Sequence, residues 1–266
     1  MKLVRKWRQS FKLNYGYFKY FGFNFLQSLL RYRKEKRAVI FGKSVHFTHE
    51  FWFLHSLREI FIERVYLFKS DKKIPFILDC GANIGLSIIF FKQIFADAKI
   101  IGFEPDPINF QVLEKNIAEF GFSNVDLINK AVWKERDSLL FDSLGGIGSK
   151  VVHQSEISKH AISVEAVPLF EYIRSGEIDF LKIDIEGAEY EVLVSCKEHL
   201  HNVKNLFIEY HSLPGEEQVL PDLLVILRDA GFRYSIKEAW ENLKHPYISQ
   251  KTVMFDLQLN IFAYRP

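Results

Sequence analysis

One stretch limits what this chain can become: Phe76-Ile77-Leu78-Asp79-Cys80-Gly81-Ala82-Asn83-Ile84-Gly85-Leu86-Ser87. A short apolar run ends in an acid, meets a glycine-containing turn and passes into the helical spacing of Leu86, Ile88, Ile89, Phe90, Ile94 and Phe95. Strand, tight loop and helix in that order form the first βα unit of a nucleotide-binding sheet. Gly81 and Gly85 permit positive φ and close backbone approach, so the loop can wrap a ligand while the following helix presents free N–H groups. If the ligand carries an ammonium group, Asp79 at the strand's end is its natural partner.

Two familiar alternatives fail on spacing. A dinucleotide fingerprint needs G-x-G-x-x-G so that a pyrophosphate can lie against bare backbone, but Asn83 stands at the second glycine position. A Walker phosphate loop needs Gly-Lys-Ser/Thr after the turn, and none follows. A second buried strand, Ile100-Ile101-Gly102-Phe103, ends in Glu104 and is stopped by Pro105. It lies roughly 20 residues past the loop, where such sheets hold ribose hydroxyls. A third acid-tipped strand, Phe180-Leu181-Lys182-Ile183-Asp184, runs through Ile185-Glu186-Gly187-Ala188-Glu189 into a helix.

Together the D-x-G-A-N-x-G loop, the F-E-P strand end and the K-x-D-x-E-G-A-E segment closely resemble the FkbM-type family of S-adenosylmethionine-dependent methyltransferases. The likeness runs from about Phe61 to Tyr210, and three motifs in the right order make it specific. It implies a Rossmann-like class I α/β fold: a seven-stranded, mostly parallel sheet in the order 3-2-1-4-5-7-6, with helices on both faces. It also implies S-adenosylmethionine as cofactor, with Asp79, Gly81, Ala82, Asn83 and Gly85 around the methionine half. Glu104 and Pro105 would sit at the ribose, and Asn129 and Ala131 near the adenine. The acceptor it implies is a sugar hydroxyl of a glycan or glycolipid. Three other readings stay open: methylation of a small natural product, a nicotinamide-dependent oxidoreductase, and a catalytically idle binding protein of the same fold.

Strands are expected near 76–80, 99–103, 125–128, 179–184, 204–210, 232–236 and 253–262, with helices near 84–95, 107–120, 186–200 and 216–230. Strands separated by helix-length connections give a parallel sheet covered on both faces. Open sheets of this kind bind ligands at the carboxyl ends of their strands. Asp184 there would touch the cofactor amine or an acceptor hydroxyl, and Glu186 reads alternatively as an acid at the helix N-terminus. Lys182 reads as the partner of a carboxylate. His211, just past Phe207-Ile208-Glu209-Tyr210, is a candidate general base because imidazole titrates near neutrality. Asp184 and Glu209 compete for that role. As a pair they would need a third oxygen ligand to hold a divalent ion, and nothing in the spacing requires one, so no metal is expected.

The 266 residues, 48% of them hydrophobic, suffice for one large α/β domain behind a lead segment. Residues 1–70 are read as a basic, aromatic lead with a pre-loop helix, and 71–266 as the methyltransferase domain. Residues 1–37 hold a net +10 and leave −8 for the remainder of the chain. Aromatics interleave with that charge, so the lead reads as an interfacial helix on an anionic membrane, or as a segment packed on the body or on a second subunit. Nucleic acid is not an expected partner, because no motif for it accompanies the charge. Cys80 and Cys196 are too few for a disulfide framework. With no signal peptide and no apolar run long enough to span a bilayer, the expected location is the cytoplasm, including the inner face of its membrane. The span 134–166, with Gly145-Gly146-Ile147-Gly148-Ser149, reads as a flexible insert or hairpin over the pocket mouth.

Overall fold

The computed structural model describes residues 20, 21, 25, 33–142, 161–248 and 254–266. Most of the basic lead and the glycine-rich stretch 145–149 lie outside the described residues.

The described chain opens with a hairpin of β1 (Arg37–Ile40) and β2 (Lys43–His46). Its two-residue turn takes positive φ at both Phe41 (51°) and Gly42 (76°), the geometry that matches strand twist. α1 (Glu50–Leu57) passes without a break into a π-helical turn, Arg58–Glu63, which ends at Arg64 in a left-handed conformation. Then β3 (Phe76–Cys80), α2 (Leu86–Ile94), β4 (Lys99–Phe103), α3 (Pro107–Phe120) and β5 (Val125–Ile128) follow as two βα steps and a closing strand. α3 starts where the sequence says it should. Asp106 caps it by accepting from the backbone of Ile108 and Asn109, and Pro107 occupies its first position.

A small second sheet comes next, β6 (Ala131–Trp133), β7 (Asp137–Asp142) and β8 (Ala161–Pro168), ordered β6-β8-β7. β7 and β8 pair antiparallel, so the span 134–166 is anchored by a hairpin-like ladder. The chain continues through α4 (Phe170–Ile173), β9 (Ile178–Ile183), α5 (Glu189–Cys196), β10 (Val203–Ser212), α6 (Leu220–Asp229), β11 (Arg233–Trp240) and β12 (Leu257–Tyr264).

The main sheet runs β11-β12-β10-β9-β3-β4-β5. Numbered within that sheet it is 3-2-1-4-5-7-6, and only β12 is antiparallel to its neighbours. Because strand side chains alternate, Ile77, Phe180 and Phe207 enter one core and Leu78, Leu181 and Ile208 the other. The first core also takes Ala38, Ile40, Val45, Phe53, Leu57 and Phe61 from the N-terminal hairpin and α1. Phe21 and Phe25 of the lead join it, with Phe21 packed edge-on against Phe61. Each fully buried Phe of this layer, Phe61, Phe90 and Phe91 among them, contributes about 1.5–3 kcal/mol of transfer free energy. Among the described residues no helix is long and apolar enough to cross a membrane.

Candidate active site

The carboxyl ends of β3, β4, β9 and β10 border a cavity of about 310 Å³. At one end the walls are backbone. Gly81 (φ 86°) turns off β3, and the N–H groups of Gly81 and Ala82 donate to the Phe103 carbonyl at 3.0 and 2.8 Å. A Cβ on Gly81 would lie 1.9 Å from the Asp184 carbonyl oxygen, so only glycine lets the loop seat against the end of β9. Asn83 also takes positive φ (48°), and its N–H donates to Glu104 Oε2 at 2.8 Å. Glu104 Oε1 accepts from Asp106 N, so two strand ends and a helix start converge on one carboxylate. Burial pushes the Glu104 carboxyl up to about 8, against the lowering effect of those two N–H groups.

Several expected cofactor contacts sit elsewhere. Asp79 is fully buried beneath the loop and is not on the cavity wall. It pairs across the parallel ladder with Lys182, whose side chain therefore shares its face, and its Oδ2 accepts from Ser87 Oγ. Oδ1 stands 3.4 Å from Lys182 Nζ and is without a hydrogen bond, which leaves one buried acceptor for a donor entering at the loop. Gly85 faces Leu113 and Ile117 of α3; it is glycine for helix packing and its φ of 89°. Asn129 donates to the carbonyls of Glu104 and Pro105 and so braces the end of β4. Ala82, Asn83, Glu104, Pro105 and Ala131 do line the cavity.

The other end is acidic. Lys182, 2% exposed, reaches Asp184 Oδ2 at 3.1 Å and the Gly81 carbonyl at 2.8 Å. Burial alone would lower its pKa, but Asp184 and Asp79 outweigh that and hold the ammonium charged. Beyond β9 the chain turns through Glu186 (φ 59°) and Gly187 (φ 108°). Glu189, and not Glu186, is the acid at the start of α5: its carboxylate accepts from Ile185 N and Gly187 N, both at 3.1 Å. Burial raises the Glu186 carboxyl to about 8, and burial with the nearby Asp184 raises that of Glu209. Glu59, from the π-helical turn, lies on the same wall, is held by Asn260 Nδ2 at 3.0 Å, and is likewise raised to about 8 by burial and Glu209.

His211 corrects an expectation. β12 extends the antiparallel ladder to Ser212, so His211 lies inside β10, buried, and does not line the cavity. Its Nδ1 is 3.1 Å from Glu189 Oε1, and its Nε2 is 3.6 Å from Glu209 Oε1 and 3.7 Å from Glu186 Oε2. Burial would lower its pKa, yet the Glu189 and Glu186 carboxylates drive it well above the usual value. Of the three candidates for the base, only Glu209 and Asp184 reach the cavity, and His211 stands behind them.

A family model described as the methyltransferase FkbM domain matches residues 79–234. The chain belongs to the FkbM methyltransferase family. Among curated proteins, this FkbM-family chain is 29% identical to methyltransferase sdnD of Sordaria araneosa, over 66% of its own length and 80% of that protein's. It is 24% identical to the hexuronic acid methyltransferase AglP of Haloferax volcanii, covering 66% and 74% of the two chains. It is 27% identical to the 2-O-methyltransferase NoeI of Sinorhizobium fredii, covering 57% and 69%. The crystal structure of a methyltransferase FkbM from Methylobacillus flagellatus KT superposes with a TM-score of 0.51 at 18% identity, covering 76% of this chain and 46% of that one. That likeness bears on the fold alone.

Family membership brings S-adenosylmethionine with it as cofactor. The residues fit that group. Gly81 lines the cavity and seats the loop against β9 as only glycine can, Asp79 Oδ1 is an unsatisfied acceptor behind it, and Glu104 presents a carboxylate of the kind a ribose diol donates to. Sequence reasoning missed Glu59, Glu189 and an aromatic wall formed by Trp52 of α1 and Trp240 of β11, whose rings lie 6.2 Å apart. Only Glu189 had a visible signal, as the last acid of the third motif.

Proposed function

We propose that this chain is an S-adenosylmethionine-dependent O-methyltransferase acting on a sugar hydroxyl of a glycan or glycolipid. The observation that carries the reading is the acceptor end of the cavity: Trp52 and Trp240 form an apolar wall, Asn242 and Gln258 add amide groups beside it, and Glu209 closes it. Aromatic faces suit the C–H surface of a sugar ring, amides suit its hydroxyls, and a carboxylate with a raised pKa suits removal of a hydroxyl proton near neutrality. The names of two relatives, a hexuronic acid methyltransferase and a 2-O-methyltransferase, support the same class.

When bound, the cofactor supplies an electrophilic methyl group on a positively charged sulfur. This chain's residues do the rest. The Gly81–Glu104 side holds the donor, the tryptophans orient the acceptor, and Glu209 takes the hydroxyl proton as the oxygen gains its methyl. Asp184, fixed by Lys182, completes the negative surface facing the donor's charge. A nicotinamide dinucleotide fits poorly, since the Asn83 N–H is committed to Glu104 and a side chain occupies the position where a pyrophosphate needs bare backbone.

The basic charge of residues 1–37 suits a lipid-linked acceptor. Neutralising Arg5, Lys6 and Arg8 together should reduce co-flotation with anionic vesicles; unchanged flotation removes the membrane element. The main test is calorimetry with S-adenosylhomocysteine and with a nicotinamide dinucleotide, followed by labelled methyl transfer to a panel of glycans and glycolipids. Binding of the first nucleoside and label on a sugar oxygen are expected. Binding of the dinucleotide alone would end the reading.

A further inference from the structure

Asp184, Glu186 and His211 each offer one ligand atom, and these atoms lie within 4.8 Å of one another. Two independent features of His211 aim it at that point. Its Nδ1 is tied to the Glu189 carboxylate, which the backbone of Ile185 and Gly187 holds in place. An imidazole that donates Nδ1–H to a fixed carboxylate presents Nε2 as the ligating nitrogen, the arrangement that orients metal-bound histidines. The side chain is 1% exposed, and Nε2 stands 3.6 and 3.7 Å from the oxygens of Glu209 and Glu186, beyond hydrogen-bonding length and spaced as ligands around a common centre. Asp184, Glu186 and Glu209 also line the cavity, so a hydrated ion has a path to the site.

We propose that Asp184, Glu186 and His211 bind one divalent metal ion. A mixed carboxylate and imidazole set selects a first-row ion such as Mn²⁺ over Ca²⁺ or Mg²⁺, which prefer oxygen alone. The ion occupies the place of a proton on His211 Nε2 and offsets the charge of the surrounding carboxylates. Binding of the ion stands apart from the methyltransferase reading. Its use rests on that reading: Asp184 and Glu186 line the cavity, so an ion held there would be within reach of a sugar hydroxyl oxygen and would lower its pKa.

Full-length protein, stripped with a chelator and desalted, is titrated with Mn²⁺ and the free ion followed by electron paramagnetic resonance. One ion per chain is expected. Glu186→Gln and, separately, His211→Leu should weaken binding by at least about tenfold, the scale for disturbing a metal's ligand set. Glu165→Gln, an exposed carboxylate paired with Lys130, should not. Circular dichroism on every sample verifies folding, and S-adenosylhomocysteine calorimetry keeps the two claims apart. Wild-type protein that binds the nucleoside but no Mn²⁺, or Mn²⁺ binding untouched by Glu186→Gln, overturns the metal site. Stoichiometric Mn²⁺ without nucleoside binding would uphold the site and overturn the cofactor reading instead.

Discussion

The two ends of the cavity are built on opposite plans. The donor end is mostly backbone: the turn at Gly81, the N–H of Asn83 and a single carboxylate, Glu104, all drawn from one βαβ unit. The acceptor end is mostly side chain, with carboxylates at 59, 184, 186 and 209 and tryptophans at 52 and 240 gathered from far-apart elements. Backbone cradles tolerate little change because their shape is the chain's own path. Side-chain walls can be rewritten residue by residue. Lys182 is the exception to this division, since its ammonium faces Asp79 on one side and Asp184 on the other.

That exception gives the largest expected effect. Lys182→Met leaves two carboxylates without their buried counter-ion and should cost about 3–5 kcal/mol in denaturant unfolding at neutral pH. The deficit should shrink as pH falls and the stranded acids take up protons; a deficit independent of pH would break the ion-pair account. Next, Glu104→Gln should weaken S-adenosylhomocysteine binding by about 1–3 kcal/mol in calorimetry while leaving the acceptor KM unchanged. In the wild-type protein affinity should fall as pH drops below about 8, because ribose hydroxyls donate to the ionised carboxylate that burial disfavours. The Gln variant should lose that dependence.

Trp240→Ala tests the opposite end. It should raise the acceptor KM by about 1 kcal/mol, the scale of an aromatic contact, with nucleoside affinity unmoved. A parallel loss of both would erase the division between the ends. Glu59→Gln is read through pH dependence. The Glu59 carboxyl is raised from 4.5 to about 8, so wild-type stability declines as pH climbs between those values while that of the variant does not. Thermal melts from pH 5 to pH 9, with the variant gaining on wild type up to about pH 8, check the sign.

The same contrast explains what could be read from the sequence. The donor end was legible because its physics is local: a glycine where only positive φ serves and an acid at each strand tip. The full strand order followed from the family likeness, and the ladder reproduces it. Asp79 stands at the expected strand end but lies buried beneath the loop, and the Lys182 beside it in the ladder becomes visible only once β3 and β9 are paired. His211 was read as a loop residue because nothing near it announces that β12, some fifty positions later, carries the strand past it. Glu59 was hidden inside what scans as continuous helix, where a π-turn resets the face. Trp52 and Trp240 are joined by tertiary packing alone.

The meeting of α1 with β11 has a further meaning for descent. The tryptophan wall proposed to meet the acceptor is supplied from the two flanks of the chain, outside the βαβ unit proposed to hold the donor. On that proposal, a lineage that exchanges either flank would acquire a new clientele while its methylating machinery stays intact.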